Sequence, residues 1–298
     1  KNHKKIKMRE NYFWSPHIDP QIATLKSVSN SINSLTKYKK KSKIFLINVF
    51  GEWDEYNFDS VDKIDLISNR SLKKRKFKGF FNSRFLYFSI FFLSYFPLKR
   101  ILNRNKPDYL IIHLITSIPI LLFIFNKFKT ELILRVSGYP RLNIFRFLIW
   151  KIASTKIKYV ICPTEETKNH LLKKKIFKDN QLIFIPDPIL NIKKINILKR
   201  EKLENKPAKP FFLSIGRFTK QKNHIFLLNF FAKNRQYLKD TKLIIIGKGE
   251  LEDSYNKIIK DGKLENNVEI LRYKKNIFNY IYNAQCVISC SLWEDPGF

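Results

Sequence analysis

The stretch Phe211-Phe212-Leu213-Ser214-Ile215-Gly216-Arg217-Phe218-Thr219-Lys220-Gln221-Lys222-Asn223 decides how this chain is read. Its first five residues form a short apolar run that suits a buried strand. Beyond Asn223 an apolar-periodic run suits a helix. Between the two, a glycine permits a sharp turn, and an arginine and a lysine stand at the mouth of the strand-to-helix connection. In an open parallel sheet, ligands bind there, at the carboxyl ends of the strands. Two cations beside a helix N-terminus are suited to a diphosphate, so the stretch points to a phosphorylated small molecule.

Working outward, the second half alternates. The spacing predicts strands over 211–215, 242–246, 268–271 and 286–289, and helices over 222–238, 250–260 and 277–283. The strands are continuous apolar runs. The helices carry apolar residues on one side, such as Ile225, Leu228 and Phe231, or Leu251, Tyr255, Ile258 and Ile259. This is the pattern of a parallel sheet covered on both faces, a Rossmann-like α/β domain. The first half is similar but less regular, with strands expected over 43–49, 109–113, 131–136, 158–161 and 183–185. Thr164 is placed to cap a helix whose first turn holds Glu165 and Glu166. Residues 193–209 are polar, basic and punctuated by proline, and read as a linker between a domain over 1–192 and a second over 210–298. The chain starts at Lys1 and stops at Phe298 in mid-motif, so it reads as a fragment cut at both ends, its second domain incomplete at the C-terminus.

A length of 298 residues suits two domains. The formal charge of +32 attracts polyanions, whether nucleic acid, nucleotide-linked substrates or an anionic membrane face. The lysines are spread along the chain and match no common nucleic-acid-binding pattern. Two apolar stretches, 85–98 and 114–125, are too short to span a bilayer and read as core helices. The first is also dense in aromatics and followed by Lys99, Arg100 and Arg104, which suits an interfacial helix. Cys286 and Cys290 lie in one apolar run and read as two small buried residues of a single strand. No secretory signal is visible, and neither a zinc motif nor D-x-D occurs.

Four stretches together are similar to the family 4 (group 1) glycosyltransferases of the GT-B fold. They are Ser214 to Arg217 with Gln221-Lys222-Asn223, then Ile245-Ile246-Gly247-Lys248-Gly249-Glu250, then Asn267 to Leu271, and last Ala284 through Trp293-Glu294-Asp295-Pro296-Gly297-Phe298. The last resembles the opening of the family's E-x7-E motif. The first half resembles the family more loosely, through Pro107-Asp108 to His113, the segment 131–138 and Pro163-Thr164-Glu165.

The resemblance implies two Rossmann-like domains facing across a cleft, and retaining transfer of a hexosyl-type sugar. The donor is a nucleotide sugar held by the C-terminal domain, and the acceptor a saccharide or lipid-linked molecule over the N-terminal one. It implies catalytic roles for Arg217, Lys222 and Glu294. Gly216, Gly247, Gly249, Tyr273, Asp295, Gly297 and Phe298 would border the donor. His113, Arg135, Ser137 and Gly138 would stand on the acceptor side. Where family members often carry a further His, this chain has Arg135-Val136-Ser137-Gly138, and Arg135, Ser137 and Arg141 suit an acceptor phosphate instead. The family's N-terminal glycine-rich loop is missing, with residues 21–26 in its place and the strand before it outside the chain or poorly matched. No metal or other cofactor is expected. The implied setting is surface polysaccharide synthesis in the cytoplasm, on the inner face of the membrane. Two other readings are a basic nucleic-acid-binding protein and a GT-B nucleotide-sugar epimerase.

Overall fold

The computed structural model describes residues 8–17, 24–38, 42–67, 80–140, 142–203, 207 and 210–294. The chain divides into two compact units, Lys1–Ile189 and Leu190–Gly297 (Phe298 aside), each taken by itself below.

The first unit is built on seven strands: β1 (Arg9–Trp14), β2 (Ser42–Asn48), β3 (Val61–Asp65), β4 (Tyr109–Ile112), β5 (Glu131–Arg135), β6 (Ile157–Cys162) and β7 (Leu182–Phe184). Every neighbouring pair is parallel, in the order β3-β2-β1-β4-β5-β6-β7. The chain winds one way from β1 to β3 and the other way from β4 to β7, so the order reverses between β1 and β4. Helices α1 (Thr24–Tyr38), α2 (Phe80–Asn105), α3 (Ser117–Phe125), α4 (Ile144–Ala153) and α5 (Glu165–Lys173) connect the strands. Period-two alternation divides the core. Phe13 packs with Leu25, Val28 and Ile32 of α1, while its neighbours Tyr12 and Trp14 join a larger cluster with α2, α3 and α4.

The second unit has four parallel strands, β8 (Phe211–Ile215), β9 (Lys242–Ile246), β10 (Val268–Leu271) and β11 (Cys286–Val287), in the order β10-β9-β8-β11. Its helices are α6 (Ile192–Leu198), α7 (His224–Lys233), α8 (Glu252–Asp261) and α9 (Phe278–Asn283). Leu243 and Ile245 face α7 and α8, and Ile244 and Ile246 face Tyr280 of α9. Here the order reverses between β8 and β11.

Several sequence expectations are corrected. The strand expected to be outside the chain or poorly matched is within it, as β1, whose last four residues are buried in the centre of the sheet. β3 was not foreseen, because Val-Asp-Lys-Ile-Asp at a sheet edge shows no apolar run. Cys286 and Cys290 are not two buried residues of one strand. Cys286 is exposed, and Cys290 lies beyond β11 with its thiol toward the carbonyls of Lys222 and Asn223. α7 is shorter than expected, because Asn223 adopts a left-handed conformation (φ 53°) before it and Asn234 ends it. The span 193–209 holds most of α6. No helix among the described residues is long and apolar enough to cross a membrane.

Candidate functional site

In the second unit the carboxyl ends of β8 and β11 flank the point where strand order reverses, the position at which an open α/β sheet leaves a crevice. Three side chains converge there. Lys222 Nζ lies 2.5 Å from Glu294 Oε1. Arg217 donates from its guanidinium to Gln221 Oε1 at 3.4 Å, and its charge reaches Glu294. Burial alone would raise the Glu294 carboxyl, but hydrogen bonds from Lys222 and Ser291 and the charges of Lys222 and Arg217 outweigh it and hold the group below its ordinary range. Glu294 is therefore held as a carboxylate beside Lys222 and Arg217.

Gln221 assembles this arrangement. Its amide donates to the carbonyl of Trp293 at 3.0 Å, and its own backbone carbonyl accepts from Leu292 N at 2.8 Å. The segment after β11 is thus stitched to the loop after β8. Ser214 Oγ, buried at the end of β8, adds a bond to the carbonyl of Ile288 at 2.8 Å. Beneath the loop, Phe218 packs on His224 and Tyr255. Burial and the nearby Lys222 push the His224 imidazole down to about 4, so it stays neutral. Gln221 and His224 were not singled out from the sequence as site residues. Gln221 appeared only as part of the stretch Gln221-Lys222-Asn223 that carries the resemblance.

The glycines act by size. None of Gly216, Gly247 and Gly249 has a positive φ, and Gly216 bends the chain at the end of β8 with ordinary backbone angles. A Cβ on Gly247 would run into the carbonyl of Gly216, and one on Gly249 would sit 2.5 Å from the carbonyl oxygen of Phe218. The turn after β9 therefore lies flat against the loop after β8, laced by Phe218 N to Lys248 O at 2.9 Å and Leu251 N to Phe218 O at 3.1 Å. Tyr273 stands beyond β10, 76% exposed, on the edge of the sheet opposite β11. It is not brought to the Lys222–Glu294 pair. Asp295, Gly297 and Phe298 lie outside the described residues.

In the first unit, His113 follows β4 and Ser15 follows β1, at the reversal of strand order. His113 is 4% exposed, and neither ring nitrogen has a protein partner, nor does Ser15 Oγ. Burial, then the charge of Arg135, pushes the His113 imidazole down to about 3. Ser137 Oγ donates weakly to the His113 carbonyl at 3.4 Å, and Gly138 lies in the turn beyond. Arg135 is buried and committed to an ion pair with Asp187, which also accepts from Ser27 Oγ of α1 at 2.8 Å. Arg141 lies outside the described residues. Nearby, Glu52 caps the turn after β2, accepting from Val49 N and Phe50 N. Its burial outweighs those bonds and raises the carboxyl to about 7. Asp187 and Glu52 were missed from the sequence, since neither stands in a motif.

Residues 196–298 match the family model described as glycosyl transferases group 1. An uncharacterised glycosyltransferase of Methanocaldococcus jannaschii is 31% identical over 220 residues, 67% of this chain and 53% of its own length. A Campylobacter jejuni enzyme named N-acetylgalactosamine-N,N'-diacetylbacillosaminyl-diphospho-undecaprenol 4-alpha-N-acetylgalactosaminyltransferase is 34% identical over 84 residues, 28% of this chain and 22% of its own length. The chain thus spans about half or less of the curated relatives it matches. The Anabaena HepE protein, solved in complex with UDP and glucose, shares the fold at a TM-score of 0.62 and 12% identity, over 97% of this chain and 76% of its own. Through residues 196–298, whose loops hold Arg217, Lys222 and Glu294, the chain belongs to the group 1 glycosyl transferases of the GT-B fold.

Proposed function

We propose that this protein transfers a sugar from a nucleotide-sugar donor to a saccharide or lipid-linked acceptor with retention at the anomeric carbon, in surface polysaccharide assembly at the cytoplasmic face of a membrane. The observation that carries the reading is the convergence of Arg217, Lys222 and Glu294 where the strand order reverses. As the bond from the anomeric carbon to the diphosphate oxygen breaks, negative charge grows on the leaving group. Fixed cations stabilise that state more than the bound donor. A bond from the acceptor oxygen forms on the same face, and the acceptor's proton passes to the departing diphosphate. When the donor arrives, Lys222 turns from Glu294 to a phosphate oxygen, and the released carboxylate accepts hydrogen bonds from sugar hydroxyls. In the first unit, His113 and Ser15 carry buried polar atoms without a protein partner where the strand order reverses.

The C. jejuni relative, whose name specifies a diphospho-undecaprenol acceptor, supports the lipid-linked alternative. The Anabaena structure with UDP supports a uridine nucleotide as the first donor to try. The reading calls for no metal, because Arg217 and Lys222 supply the positive charge, so chelation should leave the rate unchanged. The test is transfer from a panel of nucleotide sugars by wild type and Arg217→Ala, with products analysed with and without acceptor. Loss of transfer in the folded variant supports the mechanism, and unchanged turnover removes it. Sugar isomerisation without acceptor would favour an epimerase.

A further inference from the structure

The outer face of the helical layer made by α2, α3 and α4 is apolar where water would ordinarily meet polar residues. On α2, Phe88, Phe92 and Phe96 repeat at every fourth position and are 64–69% exposed, opposite the buried Ile90, Ser94, Leu98 and Leu102. Positions four apart share one side of a helix, so the three rings form a single stripe. On α4, Ile144, Phe145, Leu148 and Ile152 are 51–74% exposed, opposite the buried Trp150 and Ala153. α3 packs between these two helices and carries no charge. All three lie on one side of the seven-stranded sheet, so both stripes point away from it. Exposed apolar stripes on two helices of one layer mark a candidate interaction face.

Charge selects the occupant. None of the three helices contains an aspartate or glutamate. Their charges are basic, including Lys99, Arg100 and Arg104 toward the end of α2, and Arg146 and Lys151 on α4. A protein interface mixes charges of both signs and is depleted in lysine. Aromatic stripes edged only by bases match a bilayer with anionic headgroups, where rings enter the acyl boundary and ammonium and guanidinium groups stay at the phosphates.

We propose that the outer face of α2 and α4 docks this protein on an anionic lipid surface as a peripheral, non-spanning contact. This deepens the proposed function by naming what would hold the enzyme at a lipid-linked acceptor. It is tested without any sugar, so failed docking leaves the transfer reading standing, and failed transfer leaves docking standing.

The experiment is co-sedimentation at physiological ionic strength with phosphatidylcholine vesicles, with and without phosphatidylglycerol. It compares wild type with the triple variant Phe88→Ser/Phe92→Ser/Phe96→Ser and with Phe145→Ser/Leu148→Ser. Wild type should pellet with the anionic vesicles and stay in solution with the neutral ones. Each folded variant should bind about tenfold more weakly or worse, since amphipathic binding scales with the buried apolar area. The variants keep every basic residue, so equal binding by wild type and variants would assign adhesion to charge alone and overturn the proposal. It would also be overturned if wild type stayed in solution, or if it sedimented as a dimer that the triple variant breaks, which would give the face to a second copy of the chain.

Discussion

Lys222 and Glu294 form an ion pair across 72 positions of sequence, joining the loop after the second unit's first strand to the segment after its last. Because both groups are partly exposed, removing the pair should change stability by less than about 1 kcal/mol. Its value is in placing charge. Lys222→Ala should lower kcat/KM by about a hundred- to a thousandfold, the loss expected for one electrostatic donor to a transition state. Steady-state kinetics beside thermal melting checks both halves, and a melting loss that matched the activity loss would make the pair structural.

The Glu294 carboxyl is held below its ordinary range, so its contribution to stability is present above the unfolded-state pKa and is lost as pH falls through the lower folded value. Wild type should therefore lose more stability than Glu294→Gln on acidification below about pH 4.5. Chemical denaturation of both proteins across that range measures the difference.

Arg135 and Asp187 are both buried and paired. Asp187→Ala leaves a guanidinium in the interior with its partner gone, which should cost about 3–5 kcal/mol. Replacing both residues with leucine should recover much of that loss. Equilibrium unfolding in urea, in the single and double variants, reads the coupling. A single variant as stable as wild type would show that water already reaches the pair.

His113 and Glu52 oppose each other below neutrality. His113 has a folded pKa of about 3, so as pH falls through its ordinary range the unfolded chain takes up a proton that the folded one refuses, and stability declines. Glu52 has a folded pKa of about 7, so the folded chain takes up its proton first and stability rises. Between about pH 6.5 and 4.5 the two nearly cancel. His113→Gln should unmask Glu52, giving a variant that gains up to about 1.4 kcal/mol per pH unit relative to wild type on acidification. Parallel slopes for the two proteins would remove this account.

Gly247→Ala should destabilise by about 1–3 kcal/mol through overpacking, because the new methyl meets the Gly216 backbone rather than a side chain able to move. Displacing Gly216 shifts Arg217, so donor-induced thermal stabilisation should fall as well. Full stabilisation by donor in the variant would show the two loops to be independent.

β8, β9 and β10 were placed to the residue because each is a short, mostly apolar run bounded by polar turns. β3 escaped because an edge strand with Asp62, Lys63 and Asp65 carries no such run. β1 escaped because it opens on Arg9 and Glu10 and feeds a connection without the expected glycines. Arg217 and Lys222 stood out because they follow a recognisable strand, and Glu294 because its surroundings resemble the opening of the family's E-x7-E motif; the structure brings the three side chains together. Gln221 and Asp187 did not stand out, because what they do depends on partners 72 and 52 positions away. Arg135 was assigned to a ligand for the same reason, since its sequence neighbours gave no hint of Asp187.

The stitch made by Gln221 gives the second unit a form of self-inspection. The bases and the carboxylate come from opposite ends of its sequence, and only the closed edge β8–β11 brings them within reach of each other. Half-made or frayed copies would still display Arg217 and Lys222 on a loop, but without the acid that orders them. The ordered trio of charges would then arrive together with the β8–β11 pairing, and fraying of that edge would scatter it.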